Sequence, residues 1–525
     1  MFRLTYSTMF DPPESLHRHF DDALRAVRST LGAEHAMWID GEDVRAATQF
    51  AVHGPIDRRV VLGRFQSGDA SHASAALAAA ARAFPVWAAT PWRERVAILR
   101  RAADLIEGRV YAIGAVLALE VGKNRMEALG EAQETADLIR YACDRMEAND
   151  GYVHAMARDP VPGFTSENTS VMKPWGPWLV IAPFNFPLAL AGGPTGAALV
   201  CGNTVVLKPA SATPWSARLF ALALRDAGVP PGAFNLVTGS GAAIGEALIR
   251  DARVAGATFT GSHAVGMHLV RTFAHGRWPR PCIAEMGGKN AAIVSRHADL
   301  GEAITGIARS AFGLSGQKCS ACSRIYVDHT RFADFVAALH QAASRVPVGD
   351  PTVRENWMGP VIDGAAVARY EDAVARVHAL GASGAIVHGG ERLDHADLAH
   401  GHFVAPTIAR APLDHPLWSD ELFVPFVMVA PVETVDAGIA LANASDYALT
   451  AGFYGDAEET ERFFATIEAG VAYANRPQGA TTGAWPGHQP FGGWKGSGST
   501  GKSAGSLYYL AQYLREQSQT RVARN

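Results

Sequence analysis

Between Pro174 and Leu207 the chain carries no charged residue. An apolar run of that length is where a membrane helix would be sought. Five prolines, at 174, 177, 183, 187 and 194, argue against one, because an interior proline removes a hydrogen bond and clashes with the preceding turn. Glycines at 192, 193, 196 and 202 interrupt the run further. The pattern instead predicts a strand over PWLVIA, a turn at PFNFP, a buried helix over LALAGGPTGAALV and a second strand over NTVVLK. That is one βαβ unit whose strands are covered on both faces and so read as continuous apolar runs.

Upstream, residues 73–145 read as helical: Val96, Leu99, Ala103 and Ile106 fall on one helical face. The Pro- and Gly-containing RDPVPGF marks a break. From residue 177 onward short β-type runs (WLVIA, TVVLK, AFNLVT, ATFTG, CIAEMG) alternate with helical stretches. A second such series starts after Gly288, with NAAIV, SRIYVD, FVAPTIAR and FVPFVMVA as its β-type runs. Alternation of this kind predicts mostly parallel, doubly wound sheets, here two in succession. The tail SLYYLAQYLREQSQTRV is β-capable and belongs to neither series; it reads as an ordinary closing element or as an arm reaching another subunit's sheet edge.

Composition narrows the function classes. With 48% hydrophobic and 19% charged residues the chain is globular. A formal net charge of -4 gives no electrostatic case for nucleic acid or an anionic membrane as partner. Five cysteines make no disulfide framework and point to a reduced, cytoplasmic protein. The N-terminal MFRLTYSTMFDPPESLHRHF lacks the apolar centre of a secretion signal.

Two of those cysteines, Cys319 and Cys322, form a C-x-x-C in GQKCSACSR, between a helix and a strand. A redox disulfide is one reading. Zinc is disfavoured, since no second C-x-x-C exists and His395, His400 and His402 lie in a polar loop. A single nucleophile at Cys319 is the third reading: Lys318 precedes it, small residues surround it, and the thiolate is the form a nearby cation or dipole would favour. Such a nucleophile needs a base and an oxyanion donor. Glu285, at the end of a strand and before two glycines in EMGGKN, and Asn185, in the stiff turn PFNFP, are candidates. Taken alone, either is a plausible surface or turn residue. For a nucleotide, TGSGAAIGEAL places Gly239, Gly241 and Gly245 at a helix start, a weak signal by itself. FTGS puts Gly261 and Ser262 where a helix N-terminus would hold a phosphate. Lys208, in LKPAS, sits at the strand end where doubly wound sheets bind ligands.

In this order, PFNFP, LKPAS, FTGS, EMGGKN, GQKCSACSR, ELFVPF and PFGGWKGSG resemble the aldehyde dehydrogenase superfamily, over about residues 60–520. The resemblance implies two doubly wound α/β domains, nucleotide-binding (1–148 and 172–286) and catalytic (287–480). Residues 149–171 and 481–525 supply an oligomerisation β-arm and a substrate-anchoring loop. It implies NAD(P)-dependent oxidation of an aldehyde. Cys319 would be the nucleophile and Glu285 the general base. Asn185 and the Cys319 N–H would form the oxyanion hole. Lys208 and Glu421 match ribose-contacting positions and Ser262 a phosphate-contacting one; Gly241, Gly261 and Phe423 complete the cofactor set. Ser211 stands where many NAD-preferring relatives carry Glu, which leaves NADP open beside NAD.

Within the superfamily, GQKCSACSR, ATTGAWPGHQPFGGWKGSG and the tail resemble the branch that oxidises L-glutamate γ-semialdehyde in proline catabolism. That implies substrate contacts from Gly483 and Ala484 N–H groups to a carboxylate, from Ser320, and from Glu134 to an ammonium. Phe186 and Phe491 would wall the aliphatic chain. Glu134 reads equally well as a solvated helical residue. It further implies a homodimer or larger homo-oligomer, and a separate proline dehydrogenase as the source of substrate. Alternatives are another aliphatic or aromatic aldehyde as substrate, a non-catalytic scaffold, or a thiol redox protein using Cys319 and Cys322.

Overall fold

The computed structural model describes residues 4–525; of the N-terminal stretch read above, Met1, Phe2 and Arg3 lie outside it. The first alternating series forms a seven-stranded sheet in the order Cys282–Glu285, Gly256–Thr260, Pro177–Ile181, Thr204–Lys208, Phe234–Leu236, Met37–Ile39, Glu42–Val44. The first five strands are parallel, and the last two pairings, Phe234–Leu236 with Met37–Ile39 and Met37–Ile39 with Glu42–Val44, are antiparallel. Register opposes Ile181 to Lys208 and Thr260 to Glu285, so the carboxyl ends of four strands share one edge.

The second series forms another seven-stranded sheet, ordered Ala385–His388, Thr407–Arg410, Phe426–Val432, Cys322–Asp328, Asn290–Val294, Thr450–Tyr454, Val471–Ala474. All its pairs are parallel except the first. FVAPTIAR and FVPFVMVA are strands only in their second halves. Cys319 lies in the loop that enters the strand Cys322–Asp328.

The closing tail belongs to neither seven-stranded sheet, as its pattern suggested, and closes as a strand. After one 3-10 turn, Leu514–Arg524 pairs antiparallel with Phe164–Pro174 from end to end, and Val153–Ala155 completes a three-stranded arm. Beyond Leu514 its residues are exposed. No helix among the described residues is long and apolar enough to cross a membrane.

The uncharged run folds as its pattern requires. The helix Ala189–Val200 is buried along its whole length. It crosses the helix Arg125–Ala148 at close range. A Cβ at Gly192, Gly193 or Gly196 would lie 2.4 Å from Thr135 Cγ2, 2.9 Å from Leu138 Cδ1 or 2.9 Å from Ile139 Cγ1. Glycine is what lets two helices approach this closely.

Three buried carboxylates fix the layers to one another. Glu120 accepts from the N–H groups of Trp215 (2.5 Å) and Ser216 (3.1 Å), at the start of the helix Pro214–Asp226. Glu131 accepts from the N–H groups of Leu188 (2.8 Å) and Ala189 (3.2 Å), opening the helix that follows PFNFP, and from Lys123 Nζ (2.5 Å). Glu127 accepts from the Leu314 N–H (3.3 Å) and from Lys318 Nζ (2.8 Å) in the nucleophile loop. Each supplies acceptors where a helix or loop presents unpaired donors; Glu127 and Glu131 are also paired with lysines, whereas burial pushes the Glu120 carboxyl up to about 8.

Removing the Glu131 carboxylate leaves Lys123 buried without a counter-charge and two N–H groups without acceptors. Glu131→Ala is therefore expected to destabilise the fold by about 3–5 kcal/mol, read as a lower thermal unfolding midpoint. A midpoint equal to that of the parent protein would refute the clamp.

Candidate active site

The nucleophile loop is held under backbone strain. Leu314 and Ser315, both non-glycine, have φ of 49° and 53°. Such conformations persist only where surrounding contacts over-determine them. Here the contacts are explicit: Glu127 binds the Leu314 N–H, Ser315 Oγ donates to the Gly359 carbonyl (2.6 Å), and Gln317 Oε1 accepts from the Ile362 N–H (2.9 Å). Asn290 Nδ2 donates to the carbonyls of Cys319 (2.7 Å) and Ala321 (2.9 Å). Thr481 Oγ1 donates to the Ser320 carbonyl (2.7 Å), tying the anchoring loop to the nucleophile loop.

Cys319 is half-buried and Cys322 is packed in the core at 1% exposure; both are free thiols. Cys322 Sγ sits against the Arg324 carbonyl, in the apolar cluster behind the strand. Lys318 does not serve the thiol. Its ammonium is committed to Glu127, so the cation expected beside Cys319 is spoken for. Burial, reinforced by the Glu421 and Glu285 charges, pushes the Cys319 thiol up to about 12.

One cavity opens on Cys319 and gathers every substrate residue named from sequence: Glu134, Phe186, Ser320, Gly483, Ala484 and Phe491. Its wall also holds residues that sequence reading missed, among them Tyr6, Trp485 and Gln478. Gly483 has a φ of 93°. The Arg476 guanidinium donates to the carbonyls of Thr482 (2.5 Å) and Gly483 (2.8 Å), gripping the anchoring loop by its acceptors. The N–H groups of Gly483 and Ala484 meet no protein acceptor among the described residues. Successive N–H groups left in this way suit a carboxylate. Glu134 accepts from the Tyr6 hydroxyl at 2.6 Å. It is a wall of the cavity and not a freely solvated helical residue.

A second cavity shares Cys319 and Phe491 with the first and adds Glu285. Burial pushes Glu285 up to about 8, against one hydrogen bond from the Gly493 backbone that works the other way, and its Oε2 has no protein partner. Asn185 is 3% exposed, and its Nδ2 donates to the Gln317 carbonyl at 2.9 Å. That bond uses one amide hydrogen and orients the other.

The cofactor candidates fall outside these two cavities. Lys208 ends its strand with Nζ on the Pro209 carbonyl (3.0 Å), and burial lowers its ammonium to about 8. Ser211 Oγ donates to the Gly239 carbonyl (3.0 Å), and nothing stands within 4 Å of a Cβ placed on Gly241. Ser262, after Gly261, is N-cap of the helix His263–Ala274 and makes no side-chain cap bond, so the first N–H groups stay available to an anion. Glu421 Oε1 accepts from the Gly288 N–H (2.9 Å), and Glu421 and Phe423 line a small pocket with Cys322 and Ser323. A buried cation with no anionic partner, an open glycine turn and an uncapped helix start together fit a dinucleotide.

Glu120, Glu127 and Glu131 were not found from sequence. The available signal was spacing: 127, 131 and 134 fall at i, i+4 and i+7 among Ala and Gly in MEALGEAQE, a narrow acidic stripe on a small-residue face.

A model of the aldehyde dehydrogenase family matches residues 38–518. The 1-pyrroline-5-carboxylate dehydrogenase of Geobacillus sp. (strain WCH70) is 35% identical over 504 residues, 95% of this chain and 95% of that protein. A solved structure of 1-pyrroline-5-carboxylate dehydrogenase from Thermus with bound NAD superposes with a TM-score of 0.92 at 31% identity, covering 100% of this chain and 99% of that one. Proline utilization A from Bdellovibrio bacteriovorus gives a TM-score of 0.90 at 32% identity over 96% of this chain; the chain spans about half (52%) of that protein.

The buried thiol sets a titration test. In the protein without added ligands, alkylation of Cys319 by iodoacetamide, measured against Cys319→Ala, is expected to accelerate with pH through at least pH 10 without levelling. A plateau near neutral pH would show a thiolate already formed.

Proposed function

The chain belongs to the aldehyde dehydrogenase family, and we propose that it oxidises L-glutamate γ-semialdehyde, the open form of 1-pyrroline-5-carboxylate, to L-glutamate with NAD. One observation carries this reading. A single cavity beside Cys319 is lined at once by a carboxylate, Glu134, by the free N–H groups of Gly483 and Ala484, and by the rings of Phe186 and Phe491. An aliphatic aldehyde bearing one ammonium and one carboxylate satisfies all three. An uncharged aldehyde leaves buried polar groups unpaired, which is costly. The names of the Geobacillus and Thermus relatives support the same substrate.

In this reading Cys319 Sγ, once deprotonated to the thiolate, attacks the aldehyde carbon; a C–S bond forms as the carbonyl π bond opens onto oxygen. The developing oxyanion is met by the Cys319 N–H and by the Asn185 amide hydrogen that Gln317 leaves free. NAD, when bound, accepts the hydrogen that departs from that carbon with its electron pair. Lys208 and Glu421 would hold its ribose hydroxyls, Ser262 and the helix start behind it its phosphates, with Ser211, Gly241, Gly261 and Phe423 around them. The thioester left on Cys319 is hydrolysed by a water whose proton passes to Glu285; the hydroxyl adds to the carbon and the C–S bond breaks. Ser320 and the two anchoring N–H groups hold the substrate throughout. The sheet ending at Glu285 would form the cofactor half and the sheet that follows it the catalytic half.

The exposed edge of the arm strand Leu514–Arg524 would join a second copy of the chain, as strand edges do. The semialdehyde would be supplied by a separate proline dehydrogenase. Five free cysteines fit a reducing cytoplasm.

Pyrroline-5-carboxylate is expected to be turned over faster than simple aliphatic or aromatic aldehydes, with NAD and NADP tested side by side. Equal or faster turnover of uncharged aldehydes would overturn the substrate. Cys319→Ala is expected to lose at least about 10⁴-fold in kcat. Glu285→Gln should release about one equivalent of reduced cofactor per site in a burst and then stall at the thioester. Because the base works deprotonated and its carboxyl lies at about 8, hydrolysis-limited turnover should rise with pH and level off above that value. A turnover already flat at pH 6 would remove Glu285 from the role.

A further inference from the structure

Glu134 differs from its neighbours on the same helix. Glu131 is paired with Lys123 and Glu127 with Lys318. Glu134 forms no ion pair among the described residues; its one recorded partner is Tyr6, 128 residues away, whose hydroxyl donates to Oε2 at 2.6 Å. Tyr6 belongs to an N-terminal segment, 4–10, that is neither helix nor strand and that runs along the cavity wall.

Several contacts seat it there. The Tyr6 ring meets Trp485 edge to face (centroids 5.2 Å, 75°) and Phe186 likewise (6.3 Å, 88°). The helix makes room for it: a Cβ on Gly130 would stand 2.9 Å from Tyr6 Cε1. The Arg309 guanidinium lies 3.6 Å from the Phe10 ring centroid. Arg476, which grips the Thr482 and Gly483 carbonyls, also reaches Ser7 Oγ (3.3 Å).

We propose that Tyr6 is a positioning residue for the substrate's ammonium group: its hydroxyl holds Glu134 in the charged, inward-facing form that receives that group. This rests on the reading above, in which Glu134 faces an ammonium. The charged groups around Glu134 are Glu131 on its own helix, Lys123 in the turn before it and Lys318 from the nucleophile loop. Both lysines are already committed to other carboxylates. Burial, aided by Glu131, pushes Glu134 up to about 7, and the Tyr6 hydrogen bond works in the opposite direction. Tyr6 itself is driven well above its ordinary value by burial and by Glu134, so it remains a donor across the working range. Loss of one charge-assisted hydrogen bond raises a carboxyl by about one unit. The charged fraction then falls ~5-fold at pH 7 and nearly tenfold at pH 6, and is almost unchanged by pH 9.

The test compares Tyr6→Phe, Glu134→Gln and the parent enzyme, each with NAD, on pyrroline-5-carboxylate and on butanal between pH 6 and 9. Ratios between enzymes at one pH cancel the substrate's own titration and ring closure. Expected for Tyr6→Phe is a KM-borne loss of kcat/KM on pyrroline-5-carboxylate of ~5-fold at pH 7, closing by pH 9, with butanal unaffected. Glu134→Gln should lose selectivity at every pH. If Glu134→Gln loses it and Tyr6→Phe does not, the role of Tyr6 is overturned while the substrate reading stands. A Tyr6→Phe loss shared by butanal, or constant with pH, also overturns it, since that is a structural effect. A parent enzyme without preference for pyrroline-5-carboxylate overturns both.

Discussion

The constraint on which the rest of this structure depends is that a carboxylate withdrawn from water must be surrounded by donors. Stripping an unpaired charge of its hydration costs several kcal/mol, so Glu120, Glu127 and Glu131 dictate what packs against them. Two find helix N-termini, where unpaired N–H groups and the helix dipole want an anion. The third finds a strained loop N–H and a lysine. The consequence is positional. Glu131 fixes the helix that follows the Asn185 turn, and Glu127 fixes the loop that carries Cys319. Asn185 and Cys319 are thus referenced to a single rigid helix one turn apart along its face. Preorganisation of this kind is what keeps a site within the tolerance that catalysis demands.

The second layer of control is a division of backbone groups. In the loop around Gly483 the protein occupies carbonyls and leaves the N–H groups of Gly483 and Ala484 unbonded among the described residues, while in the loop around Cys319 the carbonyls are held and the Ala321 N–H is spent on the Lys318 carbonyl. Asn290 takes the carbonyls of Cys319 and Ala321, Thr481 takes that of Ser320, and Arg476 takes those of Thr482 and Gly483. A peptide whose carbonyl is held on one side turns its N–H to the other. The loop around Gly483 is thereby made into a donor surface suited to a carboxylate.

Much of this was legible in the chain. Alternating apolar runs give the two sheets because hydrophobic periodicity is local, and proline and glycine placement distinguishes the run 174–207 from a membrane span. The cavity-lining residues named from short motifs, Phe186, Ser320, Gly483, Ala484 and Phe491, lie on loops between predictable elements, whereas Glu134 lies on the helix Arg125–Ala148. What escaped was non-local. Nothing in LTYSTMF announces that Tyr6 will reach a glutamate 128 positions on. The acidic stripe in MEALGEAQE looks like any solvated helix face until the small residues beside it are seen to admit another helix. Lys318 misled for the same reason: adjacency to Cys319 suggested activation, whereas its ammonium is drawn to Glu127. The tail was ambiguous because strand pairing depends on a partner more than 300 residues away.

Dryness ties these levels together. The same burial that makes the cavity selective raises the Cys319 thiol, the Glu285 carboxyl and the Glu134 carboxyl above their ordinary ranges. For a nucleophile and a base this is a handicap at neutral pH, since both work deprotonated. An ammonium entering beside Glu134 reverses the penalty at that residue, because an opposite charge in a dry site counts for far more than in water. Binding of a charged substrate and ionisation of its receptor are then reciprocal: each favours the other by the same factor. A neutral aldehyde brings no such compensation and leaves Glu134 to be neutralised by a proton. In the proposed reading, selectivity for an amino-acid aldehyde follows from the absence of a lysine at Glu134: of the three acidic residues on one helix face, it alone has no ion pair among the described residues.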